Sequence, residues 1–268
     1  MNPHRPFVVH FGIGGSAEAY SKNSGKTPDV YVDNDRKFWG KTIRGTPVLS
    51  PTTLVDLPFT EIVITSGYVQ EIRLQLSDLG ISEDLITIPT KVDLSHRRFK
   101  THEQRSSALE ALDSFLCGIE TLPIVTQGGT ALGLVRDGDL IAWDDDIDLA
   151  ASVTETTKIM EHLQQLGADP YLDKGRERTM IKAHLPTSRG DRIPLGISQY
   201  DPALDIFVDC FESFRWEWPI EMYLDPLVIG VGGRSFFVPS STSHYLSTVY
   251  GTEWNTPNPQ FGFDDYGK

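Results

Sequence analysis

The chain has 268 residues, of which 39% are hydrophobic and 23% charged, a balance that excludes disordered and collagen-like classes. No apolar run approaches the roughly 18 residues of a transmembrane helix. The net charge is −13, and residues 1–99 carry 11 basic and 11 acidic side chains, so the whole acidic excess lies beyond them. Such a composition disfavours a nucleic-acid partner, because phosphate affinity comes largely from Lys and Arg. Cys117 and Cys210 are too few and too far apart for a disulfide framework or a zinc site. The polar start lacks the basic region and apolar core of a secretory leader, so a cytoplasmic protein without a transmembrane segment is expected.

In chain order, residues 7–11 read as a buried strand, followed by a glycine turn and a helix from Ala17. Residues 30–32 form a second predicted strand, closed by Asp33, and residues 61–65 a third. Val69, Ile72, Leu76 and Leu79 recur at helical spacing until Gly80 stops the pattern. Residues 85–88 supply a fourth short strand. This alternation predicts a small Rossmann-like parallel sheet over residues 1–95, within an α/β chain. Residues 89–98 read as a linker, and residues 99–119 as a long helix with Leu109, Leu112, Phe115 and Leu116 on one face. Residues 96–268 form the second predicted domain.

Gly12-x-Gly14-x-x-Ala17 sits between the first strand and its helix, and Asp33 ends the next strand, as in a dinucleotide fingerprint. Glycines there let backbone N–H groups approach phosphate oxygens at a helix N-terminus. The domain holds about half of a full doubly wound sheet, so a complete NAD site is not expected. A fold used only for packing or dimerisation is the other reading. The stretch resembles the N-terminal domain of bacterial sugar acyltransferases that bind UDP-sugars, through Phe11-Gly-Ile-Gly-Gly15, Val32-Asp-Asn34, Gly45-Thr-Pro-Val48 and Glu61-Ile-Val-Ile64. That resemblance implies a site for a nucleotide-linked or phosphorylated sugar at Gly12, Gly14, Gly15 and Asp33.

The sharpest signal is Trp143-Asp-Asp-Asp-Ile-Asp-Leu149. Read as a strand, it puts Asp144, Asp146 and Asp148 on one face and Asp145 and Ile147 on the other. Like charges this close repel unless a cation offsets them, and an all-oxygen set suits Mg²⁺ or Mn²⁺. A solvated acidic loop fits poorly, because Leu140, Ile141 and Trp143 precede the run and Leu149, Ala150 and Ala151 follow it. Upstream, Gly128, Gly129 and Thr130 open a short helix whose N–H groups could cradle a phosphate, with Arg136 as a fork donor. A phosphate turn followed by a carboxylate strand is the layout of nucleotidyltransferase folds, here as an α+β domain. A further carboxylate comes from a predicted strand over residues 204–209, with Asp205 preferred and Asp209 the alternate. Lys174, Arg176, Arg178, Lys182, Arg189 and Arg192 cluster in one segment, where Lys182 lies on a predicted strand over residues 179–184. The cluster either contacts a substrate phosphate or balances local charge. Phe211, Phe214, Trp216 and Trp218 either hold a ligand ring or cation, or pack the core. Tyr245, Tyr250 and Trp254 read as structural.

Gly128-Gly-Thr-Ala-Leu-Gly-Leu-Val-Arg136 together with Ile141-Ala-Trp-Asp-Asp-Asp-Ile-Asp148 resembles the LicD family, which includes bacterial phosphocholine transferases and fukutin-related ribitol-phosphate transferases. Leu204-Asp-Ile-Phe207 resembles its second acidic motif. Val238-Pro239, Tyr245-Leu246, Tyr250-Gly251, Trp254 and Pro257 resemble its C-terminal signature. The resemblance implies Mg²⁺-dependent transfer of a phospho-substituent from a CDP-linked small-molecule donor to a hydroxyl of a glycan or nucleotide-linked sugar. Asp144, Asp146 and Asp148 would hold the metal, and Asp205 would act with Asp146 and Asp148 in catalysis. Gly128, Gly129, Thr130, Arg136 and Lys182 would hold donor phosphate. Two alternatives are nucleotidyl transfer from an NTP to a sugar phosphate and a non-catalytic sugar-nucleotide binding module. The cysteine-rich zinc element of the fukutin-related members has no counterpart here.

Overall fold

The structure is a computed structural model that describes residues 6–175, 178–211 and 214–267. The chain divides into two compact units, Met1–His96 with Asn258–Asp265, and Arg97–Pro257 with Tyr266–Lys268.

The first unit runs β1 (Val8–Phe11), α1 (Gly15–Ser24), β2 (Val30–Val32), β3 (Thr42–Ile43), β4 (Thr46–Leu49), β5 (Glu61–Ile64), α2 (Val69–Asp78), β6 (Ile86–Thr87) and α3 (Lys91–Leu94). Its sheet order is β3-β4-β2-β1-β5-β6, parallel except for the β3–β4 hairpin. The strands are short apolar runs because both faces are covered. Val9 and Phe11 pack with Ile62, Ile64 and the Val69, Ile72 and Leu76 stripe of α2. On the other face Val8 and Val63 pack with Tyr20 and Leu94.

Residues 89–98, expected as a linker, instead contain α3. Thr90 and Asp93 form a reciprocal capping box, and Leu94 is buried. Asn23 Nδ2 secures the segment by donating to the carbonyls of Asp93 and Ser95 at 3.0 and 2.9 Å. The second difference from the expected boundary is the return of residues 258–265 to this unit. Lys91 N–H donates to the Phe261 carbonyl at 3.0 Å, and Phe263 packs on the Val8–Tyr20 cluster.

His10 is fully buried between the rings of Tyr20 and Tyr31, with centroids 5.3 and 6.0 Å away. Neither ring nitrogen has a hydrogen-bond partner among the described residues. Burial pushes the imidazole down to about 4, against the opposing pull of Glu61. A histidine held neutral in the fold but protonated in the unfolded chain supplies stability above pH 6.5 that is lost as pH falls toward 4. The first unit is therefore expected to lose about 3 kcal/mol across that window. Urea melts at pH 7 and pH 4.5, compared with those of His10→Leu, check this; an identical pH dependence in both proteins would refute it.

The second unit runs α4 (His102–Cys117), β7 (Val125–Thr126), α5 (Gly128–Arg136), β8 (Ile147–Ser152), α6 (Thr156–Gln165), β9 (Tyr171–Lys174), β10 (Thr179–Pro186), β11 (Arg192–Tyr200), β12 (Ile206–Phe211), β13 (Phe214–Pro219), α7 (Glu221–Leu224), β14 (Leu227–Val231), β15 (Arg234–Val238) and α8 (Thr242–Tyr250). A mixed seven-stranded sheet has the order β14-β15-β7-β8-β11-β10-β9, and β12 and β13 form a separate ribbon. A Thr101–Gln104 capping box starts α4 later than the apolar periodicity alone suggests. Its Leu109, Leu112 and Phe115 pack with Ile147, Leu149, Ile181 and Ile197 of the sheet. The chain is thus an α/β protein, with a parallel-rich sheet in the first unit and a mixed α+β arrangement in the second.

Candidate active site

The acidic segment lies where α5 meets β8. Ladder pairing of β8 with β11 begins at Ile147 opposite Leu195, so residues 144–146 precede the strand and its alternation does not reach them. A turn closed by the Asp144 N–H on the Ile141 carbonyl at 3.0 Å folds them back. One carboxylate oxygen from each of Asp144, Asp145 and Asp146 then lies within 4.8 Å of the others. Asp145, expected on the opposite face, joins the cluster, while Asp148 sits on β8 beside the glycine turn. Asp144 is buried, and one of its carboxylate oxygens accepts the Asp145 N–H at 3.2 Å.

Glycine is required where the turn meets the strand. Gly128 has φ +55, and a Cβ there would stand 2.7 Å from Asp148 Oδ2. Gln127 N–H donates to the Asp148 carbonyl at 3.0 Å, and Asp148 N–H donates to Thr130 Oγ1 at 2.9 Å. The turn and the aspartate are therefore stitched together by backbone, and Thr130 uses its hydroxyl for that link. Gly129 is buried beside it.

Strand register reveals a feature the sequence reading missed. Asp148 pairs with Gly196 of β11, which pairs with Lys182 of β10. Cross-strand partners share a face, so Lys182 stands two strands, about 10 Å, from Asp148. Gly196 lets Met180 Cε pack directly over the strand between them, 2.9 Å from where a Cβ would stand, with Asp148 Oδ1 3.7 Å from the same point. Lys182 pairs with Asp173 at 2.6 Å. A glycine in the middle of a strand is the signal that could have exposed this close approach.

Other expected residues are placed differently. Arg136 ends α5, about 12 Å along the helix axis from Gly128. Its guanidinium forks onto Asp137 at 2.8 and 2.7 Å and lies over the Trp143 ring, so the structure does not bring it to the turn. Asp205 precedes β12 and is exposed, whereas Asp209 within β12 is buried. Burial pushes the Asp209 carboxyl up to about 6, opposed by the nearby Arg178 charge. Arg178 also donates to the Cys210 carbonyl, and Arg192 donates to the Gly167 carbonyl at 3.0 Å. Arg176 lies outside the described residues. Trp218 is buried against Tyr245 at 4.9 Å, and Phe214 stacks on Trp216 at 5.7 Å.

In the first unit Gly12 has φ +110, and a Cβ there would press on Thr65 and Ser66 at 3.2–3.3 Å. Gly14 precedes α1 in extended conformation with open space at its Cα, and a Cβ on Gly15 would meet His96 Nε2 at 3.3 Å. Asp33 Oδ1 accepts the Asp35 N–H at 2.8 Å. Arg44, missed in the sequence reading, lays its guanidinium on this loop, donating to the Ile13 carbonyl at 2.9 Å and to Glu18 at 3.1 Å. Its place follows from the Arg44–Gly45 hairpin turn, where both residues have positive φ.

Among the described residues no helix is long and apolar enough to cross a membrane. No curated protein sequence matches the chain. Among solved structures, a UDP-D-quinovosamine 4-dehydrogenase from Vibrio fischeri is 21% identical over 32% of this chain and 79% of its own, with a TM-score of 0.26. A lincomycin-bound lincosamide antibiotic adenylyltransferase is 14% identical over 50% of this chain and 79% of its own, with a TM-score of 0.35. An antigenic nucleotidyltransferase-like protein from Paracoccidioides brasiliensis is 15% identical over 54% of this chain and 61% of its own, with a TM-score of 0.32. Residues 7–87 match the family model described as C2185-like, N-terminal. Residues 122–227, which hold the glycine turn, the acidic segment and both later aspartates, match the model of the LicD/FKTN/FKRP nucleotidyltransferase domain.

Proposed function

We propose that the second unit transfers a phospho-substituent from a CDP-linked donor to a hydroxyl of a glycan or nucleotide-linked sugar, with Mg²⁺ or Mn²⁺ as cofactor. The observation that carries this reading is the convergence of Asp144, Asp145 and Asp146 just ahead of β8, the strand on which Asp148 is pressed against the glycine turn. The donor set is all carboxylate oxygen, which fits a hard divalent cation. Asp144, Asp146 and Asp148 would hold it, with Asp145 adding to the charge. When bound, such an ion offsets charge on phosphate oxygens during displacement.

The remaining roles fall to this chain's own groups. N–H groups of the turn at Gly129 and Thr130 orient donor phosphate, with Gly128 shaping the turn, and Lys182 supplies positive charge on the same sheet face. The acceptor oxygen forms the new P–O bond as the bond to CMP breaks, and the hydroxyl proton passes to a carboxylate. Burial beside Tyr245 and Arg178 supports Asp209 over Asp205 for that proton. In the first unit, the Gly12 loop, with Gly14, Gly15, Asp33 and Arg44, is proposed to hold a nucleotide-linked or phosphorylated sugar. The acidic composition supports no nucleic-acid partner, and a cytoplasmic location is part of the same reading.

Thermal-shift measurements with CDP-choline, CDP-ethanolamine, CDP-glycerol and CDP-ribitol, against NTPs, each with and without Mg²⁺, test the proposal. One CDP-linked donor at about 100-fold above its Kd should raise Tm by roughly 5–10 °C, and only with the metal. A rise with NTPs alone would replace this reading with nucleotidyl transfer.

A further inference from the structure

Tyr245 lies in the buried stripe of α8 with Leu246 and Val249, where a phenylalanine would pack equally well. The ring is 1% exposed, so its hydroxyl must be bonded to offset the loss of water. Its partner is 117 residues away: the Gly128 N–H donates to Tyr245 Oη at 2.8 Å. That N–H is the first orphan donor of α5, and Gln127 makes no side-chain cap bond. A phenol from a different helix thus caps the turn whose glycine fits against Asp148 Oδ2.

Burial, helped by the fields of the Asp209 and Asp148 carboxylates, keeps the phenol protonated. Tyr223 offers an internal contrast. It is equally buried, next to Tyr245 and Asp209, yet its hydroxyl has no hydrogen-bond partner among the described residues.

We propose that Tyr245 is a positioning residue for transfer, its hydroxyl holding Gly128 so that the phosphate turn and Asp148 keep their mutual register. The role in transfer rests on the function proposed above; the grip on Gly128 does not. The full chain is compared with Tyr245→Phe and Tyr223→Phe. In the wild type the Gly128 amide should exchange with deuterium slowly. In Tyr245→Phe exchange across residues 127–134 should quicken about tenfold, with the rest of the second unit unchanged. With a CDP-linked donor and Mg²⁺, kcat should fall about 10–100-fold while donor KM moves less than about threefold. Tyr223→Phe should leave both readouts unchanged.

Fast exchange at Gly128 in the wild type would overturn the proposal even if Tyr245→Phe does not fold. Unchanged exchange in Tyr245→Phe, or equal kinetic losses in both variants, would do the same. If the wild type transfers nothing from any CDP-linked donor, the proposed function fails, and the exchange arm alone decides whether Tyr245 holds the turn.

Discussion

Asp148→Asn is expected to lower transfer by at least about 10²–10³-fold while leaving the fold intact. The carboxylate lies against Gly128 and its backbone is tied to Thr130, so asparagine fills the same volume and keeps the backbone bonds. What it loses is the full negative charge and one of the two carboxylate oxygens. Asp146→Asn should behave alike, because it removes one of three converging carboxylates. In EDTA both variants should melt at or above the wild-type temperature, since each relieves like-charge repulsion. Activity assays with and without EDTA, paired with thermal melts, check this. Full activity in either variant, or in wild type with excess EDTA, would remove the metal from the mechanism.

The second large effect separates two aspartates four residues apart. Asp209→Asn is expected to reduce transfer about 10²–10⁴-fold, the usual weight of general-base assistance, whereas Asp205→Asn should stay near wild type. Asp205 is exposed ahead of β12; Asp209 is buried within it, beside Tyr245 and Arg178. Burial holds the Asp209 carboxyl at about 6, above its ordinary value of 3.8. A carboxyl raised in the fold gives stability at low pH that is lost as pH climbs from 3.8 through about 6. Asp209→Asn should therefore melt at or above wild type at pH 8, and gain nothing at pH 4. Kinetics of the two variants, with melts at both pH values, decide the assignment. A large loss in Asp205→Asn with near-normal Asp209→Asn would return the role to Asp205.

Much of the architecture was legible in the sequence because its causes are local. Val69, Ile72 and Leu76 face the core since 3.6-residue periodicity is a property of the helix itself. Gly12 and Gly128 mark turns because only glycine adopts their positive φ at such close approach. The adjacent aspartates of residues 144–148 announced a charge cluster for the same reason: neighbours in sequence are neighbours in space. Overestimates were local too. Residues 89–98 read as a linker because a four-residue helix has too few positions to show a period, although the Thr90–Asp93 box was there.

The sequence by itself determined the two-part α/β organisation, the glycine turn and the acidic segment. Only the tertiary structure decided which side chains serve them. Ladder pairing of the strand carrying Asp148 starts only at Ile147, opposite Leu195, and that boundary admits Asp145 to the cluster. The placing of Gly196 and Lys182 on the Asp148 face follows from register across three strands. The bond from Gly128 to Tyr245 spans 117 residues, and the return of residues 258–265 closes the first unit from the far end of the chain. Hydrogen bonding and burial between distant segments are set by the packed fold, and no local pattern records them.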